Sequence, residues 1–409
     1  MRVLNFEPLY SRRSTVYNLP GFEPRLVDKA YLENLGVTVE PSEETLKALE
    51  SGSDVFRRRY AEGLLIPRQR YGLAELDPAA VTPEIHNYTG RCPALTWEIN
   101  PVRGCTVGCQ YCLVSDGVHE QELLAYENYH LYVRRLLDEQ NGPGSPNERH
   151  YYYFSPKTEA FQEATLYTGI AHRILREFID HFRRCPESRA RLFIASKAGA
   201  RHLECKDGGE SILDLFARMK DRMQFNTSVS IMPDAFRDIL EPYAAPLDER
   251  LAAVKLCREA GIPANSALVQ PIITPWLTPE HTGSFFDALH GAGIINYKPE
   301  FLTACVENLA MLGQYLGWFD KDLERKLYDD YLMPSNEAHR KQRGRIAPDK
   351  EKSRGYLKSM MEYTGKLGMS VSICYWVRKQ LGISEDIIPL INSNGFQCLG
   401  YQSKLFADV

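Results

Sequence analysis

The sequence predicts an α/β fold, a partial (βα)6 TIM-type barrel with an N-terminal extension and a mainly helical C-terminal region. Two observations predict it. From residue 95 onward, short apolar or β-branched runs alternate with longer amphipathic stretches, the pattern of parallel strands joined by helices. The 409 residues, 44% hydrophobic and 25% charged, show no repeat or low-complexity tract, so a sizeable core is expected rather than disorder.

The expected strands are 95–100, 151–154, 191–197, 228–232, 266–273 and 294–299, and the expected helices are 120–139, 165–184, 212–223, 248–260 and 281–291. Six units are two short of a closed barrel, yet loops at the carboxyl ends of the strands still converge on one face, where such folds place their chemistry. We divide the chain into an extension (1–93), the barrel core (94–302) and a C-terminal region (303–409) that is a candidate cover for the substrate side. The extension is rich in Pro, Tyr and charge, with one helix expected over 42–62, opened by Ser42, Glu44 and Thr45 and stopped at Gly63.

A net charge of -4 gives no global field that would draw the chain onto nucleic acid or anionic lipid. Arg57-Arg-Arg59 and His339-Arg-Lys-Gln-Arg-Gly-Arg345 keep a nucleic-acid partner open, although such runs are commonly solvated faces. The balance favours a small-molecule substrate. The N-terminal MRVLNFEPLYSRR has no apolar h-region and no later stretch reaches the ~18 apolar residues of a membrane span, so we expect a cytoplasmic protein without a membrane partner. Ten cysteines without a secretion signal point to metal binding or buried thiols rather than disulfides.

Three of them, Cys105, Cys109 and Cys112, follow the first expected strand on a loop whose Gly104 and Gly108 permit tight turns. Soft thiolates suit iron–sulfur clusters and zinc. Three ligands leave one iron of a cubane open to a reacting molecule, whereas closed structural sites use every position. A zinc site completed by Cys92, His86 or His119 is the bland alternative, and three buried unliganded thiols a weaker one.

With Tyr111 just before the last cysteine, C-x3-C-x2-C resembles the motif of the radical S-adenosylmethionine (SAM) superfamily. The resemblance implies a 4Fe-4S cluster on Cys105, Cys109 and Cys112, and SAM chelated by its open iron. It also implies reductive cleavage to a 5'-deoxyadenosyl radical, fed by an electron donor such as flavodoxin or ferredoxin. Further segments resemble the spore photoproduct lyase branch. They are Asn100-Pro-Val-Arg-Gly-Cys105, Ser196-Lys197, Ser228-Val-Ser-Ile-Met232, Leu240-Glu-Pro, Asp248-Glu-Arg-Leu251 and Glu259-Ala-Gly-Ile262. The similarity covers roughly 94–275.

By that resemblance Lys197 meets the SAM carboxylate, Ser230 the methionine portion, and Ser155 with Glu159 the amino group, while Tyr111 borders the cofactor. A solvent-facing lysine and a small buried strand serine are the structural alternatives for Lys197 and Ser230. Glu241 and Arg250 are expected to pair as a bridge, with Arg250 also a candidate beside SAM. The branch's hydrogen-donating cysteine falls on Pro156, which has no thiol, so the lyase's own route is not expected.

Cys374 and Cys398 are candidate replacement donors, or with Cys305 ligands of a second cluster, although isolated cysteines in apolar runs are more often buried packing. Cys185, Cys205 and Cys257 carry no motif. The leading expectation is hydrogen abstraction from a small polar metabolite, a sugar or natural-product intermediate, ending in dehydration, epimerisation or oxidation. The alternatives are nucleic-acid lesion repair or modification with the same cofactors, and a non-catalytic zinc or iron–sulfur protein.

Overall fold

The computed structural model describes residues 2–10, 21–61, 70–86, 96–112, 123–145, 151–334, 345–373, 377–378 and 381–382. Its main sheet has eight strands: β1 Ile85–His86, β2 Thr96–Ile99, β3 Tyr151–Phe154, β4 Arg191–Ser196, β5 Met223–Val229, β6 Ser266–Ile272, β7 Asn296–Phe301 and β8 Ser370–Val371. They lie across the sheet in chain order, with β1 antiparallel to β2 and every other neighbouring pair parallel. Helix α1 is Glu43–Ala61, and helices α2 Tyr129–Asn141, α3 Ile170–Arg184, α4 Ile212–Ala217, α5 Leu247–Glu259 and α6 Pro279–Gly291 make the crossovers between β2 and β7. Right-handed crossovers that always step the same way stack the helices on one face and leave the other for a site.

The alternation in β5 shows the two faces. Met223, Phe225, Thr227 and Val229 point one way, and Phe225 meets Phe216 of α4 with ring centroids 6.1 Å apart. Gln224, Asn226 and Ser228 point the other way, where buried polar groups satisfy one another. Gln224 Nε2 donates to Asn226 Oδ1 (2.8 Å), Asn296 Nδ2 to Ser266 Oγ (2.9 Å) and Ser370 Oγ to Asn296 Oδ1 (2.9 Å).

Several expected elements change at their ends. β5 starts at Met223 rather than 228, because Met223-Gln-Phe-Asn-Thr already alternates with period two. The helix expected over 120–139 begins only at Tyr129, after a short strand at Leu124–Tyr126. The one expected over 165–184 is split by Gly169, whose φ of 70° ends Glu163–Tyr167 and restarts the chain as α3. The helix expected over 212–223 stops at Ala217. Leu124–Tyr126 joins Arg2–Asn5, Arg70–Ala74 and Val102–Arg103 in a second sheet that ties the N-terminal residues to the loop after β2.

A second apolar core lies over the carboxyl ends of β5–β7. Helix α1 Glu43–Ala61 packs against α7 Val306–Phe319, closely enough that a Cβ at Gly52 would stand 3.0 Å from the Glu307 backbone. Phe22 stacks on Tyr315 at 5.3 Å, and Phe56 meets the same ring at 5.7 Å. The cluster continues through Met232, Phe236, Trp276 and Leu302, which follow those three strands, and reaches Tyr111 beside the cysteines. Helices α8 Lys321–Tyr331 and α9 Lys350–Lys366 complete the described C-terminal part before β8. Among the described residues no helix is long and apolar enough to cross a membrane.

Candidate active site

The cysteine loop leaves β2 and turns at Gly104 (φ 87°) and Gly108 (φ 69°). A Cβ at Gly104 would collide with the Leu123 side chain, so only glycine fits both the turn and the space. One limb is anchored from below: Thr106 N donates to Gln162 Oε1 (3.2 Å), the Tyr71 hydroxyl donates to the same oxygen, and Gln162 Nε2 donates to Glu159 O (3.1 Å). The other limb is tied to the segment after β5, with Gln110 N donating to Leu240 O (2.9 Å) and Tyr243 N to Val107 O (3.4 Å).

The thiols share one electrostatic neighbourhood. Burial pushes Cys105 up to about 12, and the charge of Cys112 adds to it against backbone donors at Val107 and Glu159. Burial also raises Cys109, which feels both other cysteines, while Lys197 pulls it the opposite way. By solvent exposure the three thiols are half-buried, and thiols so desolvated resist ionisation unless a metal takes the place of their protons.

Among the described residues no three His, Cys, Asp or Glu side chains are placed to hold a single metal ion. A cubane does not need that placement, since each thiolate binds a different iron. A soft three-sulfur donor set with an ammonium group acting on it would suit a four-iron cubane. Cys92 and His119, the named zinc candidates, lie outside the described residues, as does the His86 side chain.

Lys197 sits at the end of β4, half-buried, its Nζ 3.3 Å from Ser228 Oγ and 5.8 Å from the centroid of the Tyr111 ring. Glu159 stands beneath it: the carboxylate accepts from the Ser196 hydroxyl, from Lys197 N (2.8 Å) and from Phe161 N (3.1 Å). These three protein donors fix the strand end on which Lys197 projects. Ser155, at the end of β3, has φ 52°, the one positive φ outside glycine among the described residues, and its buried Oγ has no hydrogen-bond partner. Thr106 Oγ1 is likewise buried without one. Backbone strain and an orphaned hydroxyl next to the cysteine loop mark the spot where a polar ligand group would be received.

Ser230 is fully buried and donates to Gln270 O at 2.9 Å. The hydroxyl that meets Lys197 is that of Ser228, which sequence reasoning did not single out. The signal was present in the alternation of residues 224, 226, 228 and 230, hidden because β5 was expected to start at 228.

Arg250 and Glu241 form the anticipated ion pair, both fully buried. Arg250 Nε also donates to Ala245 O (2.7 Å) and its Nη1 to Ser228 O (3.0 Å). Glu241 additionally accepts from the Tyr111 hydroxyl and lies 3.9 Å from Arg237 Nη1. Burial alone would raise the Glu241 carboxyl, but Arg250, Lys197 and Arg237 outweigh it and hold the group down at about 2. Cys374 and Cys398 lie outside the described residues. Cys305 is half-buried at the start of α7, Cys205 is half-buried, and Cys185 and Cys257 are buried.

Fold and site together define an α/β chain with a mostly parallel sheet and a three-cysteine loop at its carboxyl edge. Among solved structures it is similar to a spore photoproduct lyase complexed with a dinucleoside spore photoproduct (15% identity, 82% of this chain, 86% of that chain, TM-score 0.47). It is also similar to a cysteine-to-alanine mutant of spore photoproduct lyase (14% identity, 82% and 87% covered, TM-score 0.48). No protein-family model and no curated protein matches the chain.

Proposed function

We propose that this chain is a radical SAM enzyme whose parallel strands curl as a partial barrel around the cofactors. What supports the proposal is that Cys105, Cys109 and Cys112 lie on one loop after β2, turned at Gly104 and Gly108, where the thiols act electrostatically on one another and Lys197 acts on Cys109. The cluster and SAM, once bound, supply a 5'-deoxyadenosyl radical that removes a hydrogen atom from substrate. The residues hold and orient. The three thiolates bind iron, Lys197 pairs with the SAM carboxylate in a charge-assisted contact, and the Ser155 hydroxyl accepts from the amino group. Ser228 fixes the lysine, and the second core over the strand ends keeps water out. A flavodoxin- or ferredoxin-like donor would supply the electron.

For the substrate we take nucleic-acid lesion repair or modification ahead of the small polar metabolite suggested by the net charge. Two exposed rings support it: Trp318 and Phe319 are 40% and 38% exposed, and Phe319 lies 5.2 Å from Phe236, which follows β5. Exposed rings beside a catalytic face suit base stacking. Because Pro156 stands where the lyase has its donor, the product radical must recover hydrogen by another route.

The test is anaerobic reconstitution followed by reduction with SAM, with and without single-stranded oligonucleotides. We expect 5'-deoxyadenosine, lost when all three cysteines become alanine, and oligonucleotide binding that weakens with salt. Cleavage that survives the triple substitution defeats the site assignment, and no binding at low salt defeats the substrate reading.

A further inference from the structure

We propose that Glu241, Arg237 and Arg250 form a positioning and charge-tuning device for the iron–sulfur cluster, setting its reduction potential. The inference rests on the cluster reading above. Arg250 and Glu241 are fully buried and Arg237 is 2% exposed, so their charges act through protein rather than water. The Glu241 carboxylate joins two parts of the site, accepting from the Tyr111 hydroxyl on the cysteine loop and from Arg250 on the far side.

The two arginines fasten this carboxylate to the end of β5. Arg250 Nη1 donates to Ser228 O (3.0 Å), and Arg237 Nη2 donates to Ser230 O (3.0 Å) and Met232 O (3.1 Å). Backbone bonds from Gln110 to Leu240 and from Tyr243 to Val107 close the same junction on both sides of Glu241. The loop bearing Cys109 and Cys112 thus docks on the segment that bears Glu241.

The charges are unequal. Glu241 is the buried anion of the group, against Arg237, Arg250 and Lys197; Asp234, mostly exposed, pairs with Arg237 Nε at 3.2 Å, and both Glu241 and Lys197 act electrostatically on Cys109. Reduction adds an electron to a cluster already carrying thiolate charge, so nearby buried cations favour the reduced form and a nearby anion opposes it. Removing Glu241 and removing an arginine must therefore move the potential in opposite directions. A purely structural bridge has no such sign rule.

The experiment is a potentiometric titration followed by electron paramagnetic resonance on wild-type, Glu241→Gln, Arg237→Met and Tyr111→Phe proteins, each with its iron and sulfide measured. We expect a midpoint potential shifted upward in Glu241→Gln and downward in Arg237→Met, with wild-type iron content in both. Tyr111→Phe, which keeps every charge, should lower iron retention without either shift. Potentials that do not move, or that move the same way in both charge variants, overturn the proposal. If Glu241→Gln loses its iron, the sign of the shift in Arg237→Met decides alone. A wild-type protein that takes up no cluster overturns the underlying reading as well, which separates the two failures.

Discussion

At the scale of single residues, the site is governed by charges held out of water. Lys197 projects from a strand end braced by Glu159 and meets Ser228, so its ammonium is fixed before any ligand arrives. Replacing it with methionine should weaken SAM binding at least ~10-fold, about 1.4 kcal/mol, as measured by titration calorimetry on the reconstituted protein. Unchanged affinity would refute its assignment. Just beyond lies His202, buried with its Nδ1 accepting from Gly199 N (3.1 Å). Burial, then the Arg201 and Arg250 charges, push this imidazole from 6.5 down to about 3.

A histidine depressed in the folded state contributes stability that is present above its unfolded value and is lost as pH falls through the folded one. Stability should therefore decline between pH 6.5 and about 3 in part because of this group. His202→Asn, which keeps an acceptor for Gly199, should flatten that acid limb in denaturant titrations. An identical limb would contradict the account.

At the scale of elements, the sequence made most strand centres and the crossover helices legible, because period-two and period-3.6 patterns are strong over buried segments; β5, centred on Asn226 ahead of the expected 228–232, was the exception. The pattern over 151–154 became β3 with the same bounds, and 266–273 became β6 one residue shorter. What was not legible depended on the third dimension. Leu124–Tyr126 is a strand because Arg70–Ala74 lies beside it, and Gly169 breaks a helix that periodicity alone would continue.

The three cysteines were legible from their spacing as one loop after the first parallel strand, and Glu241 with Arg250 as a pair. The role of Ser228 was not, since it follows from which face of β5 meets Lys197. The turn at Gly104 yields an element-scale prediction. Gly104→Ala forces a Cβ into Leu123 at φ 87°, a strain of roughly 1–3 kcal/mol. It should lower both the unfolding free energy and the iron retained after desalting, and full retention would show that the turn is not needed.

At the scale of the whole molecule, the terminal parts of the chain meet each other over the carboxyl ends of the strands, through α1, α7 and the rings of Phe22, Phe56 and Tyr315. This second core reaches Tyr111, so the stability of the terminal helices and the order of the cysteine loop are linked. Phe56→Ala should cost about 3–5 kcal/mol in chemical denaturation and make the cluster easier to lose. A full loss of stability without any change in cluster retention would separate the two cores.

In the proposed centre three thiolates leave one iron open for a sulfonium cofactor. The deciding assay is iron, sulfide and zinc content after anaerobic reconstitution, followed on the same sample by 5'-deoxyadenosine formation with SAM and dithionite. We expect ~4 irons per chain, no zinc, and cleavage that stops when Cys105, Cys109 and Cys112 are replaced by alanine. One tightly held zinc and no cleavage under strong reductant would contradict it.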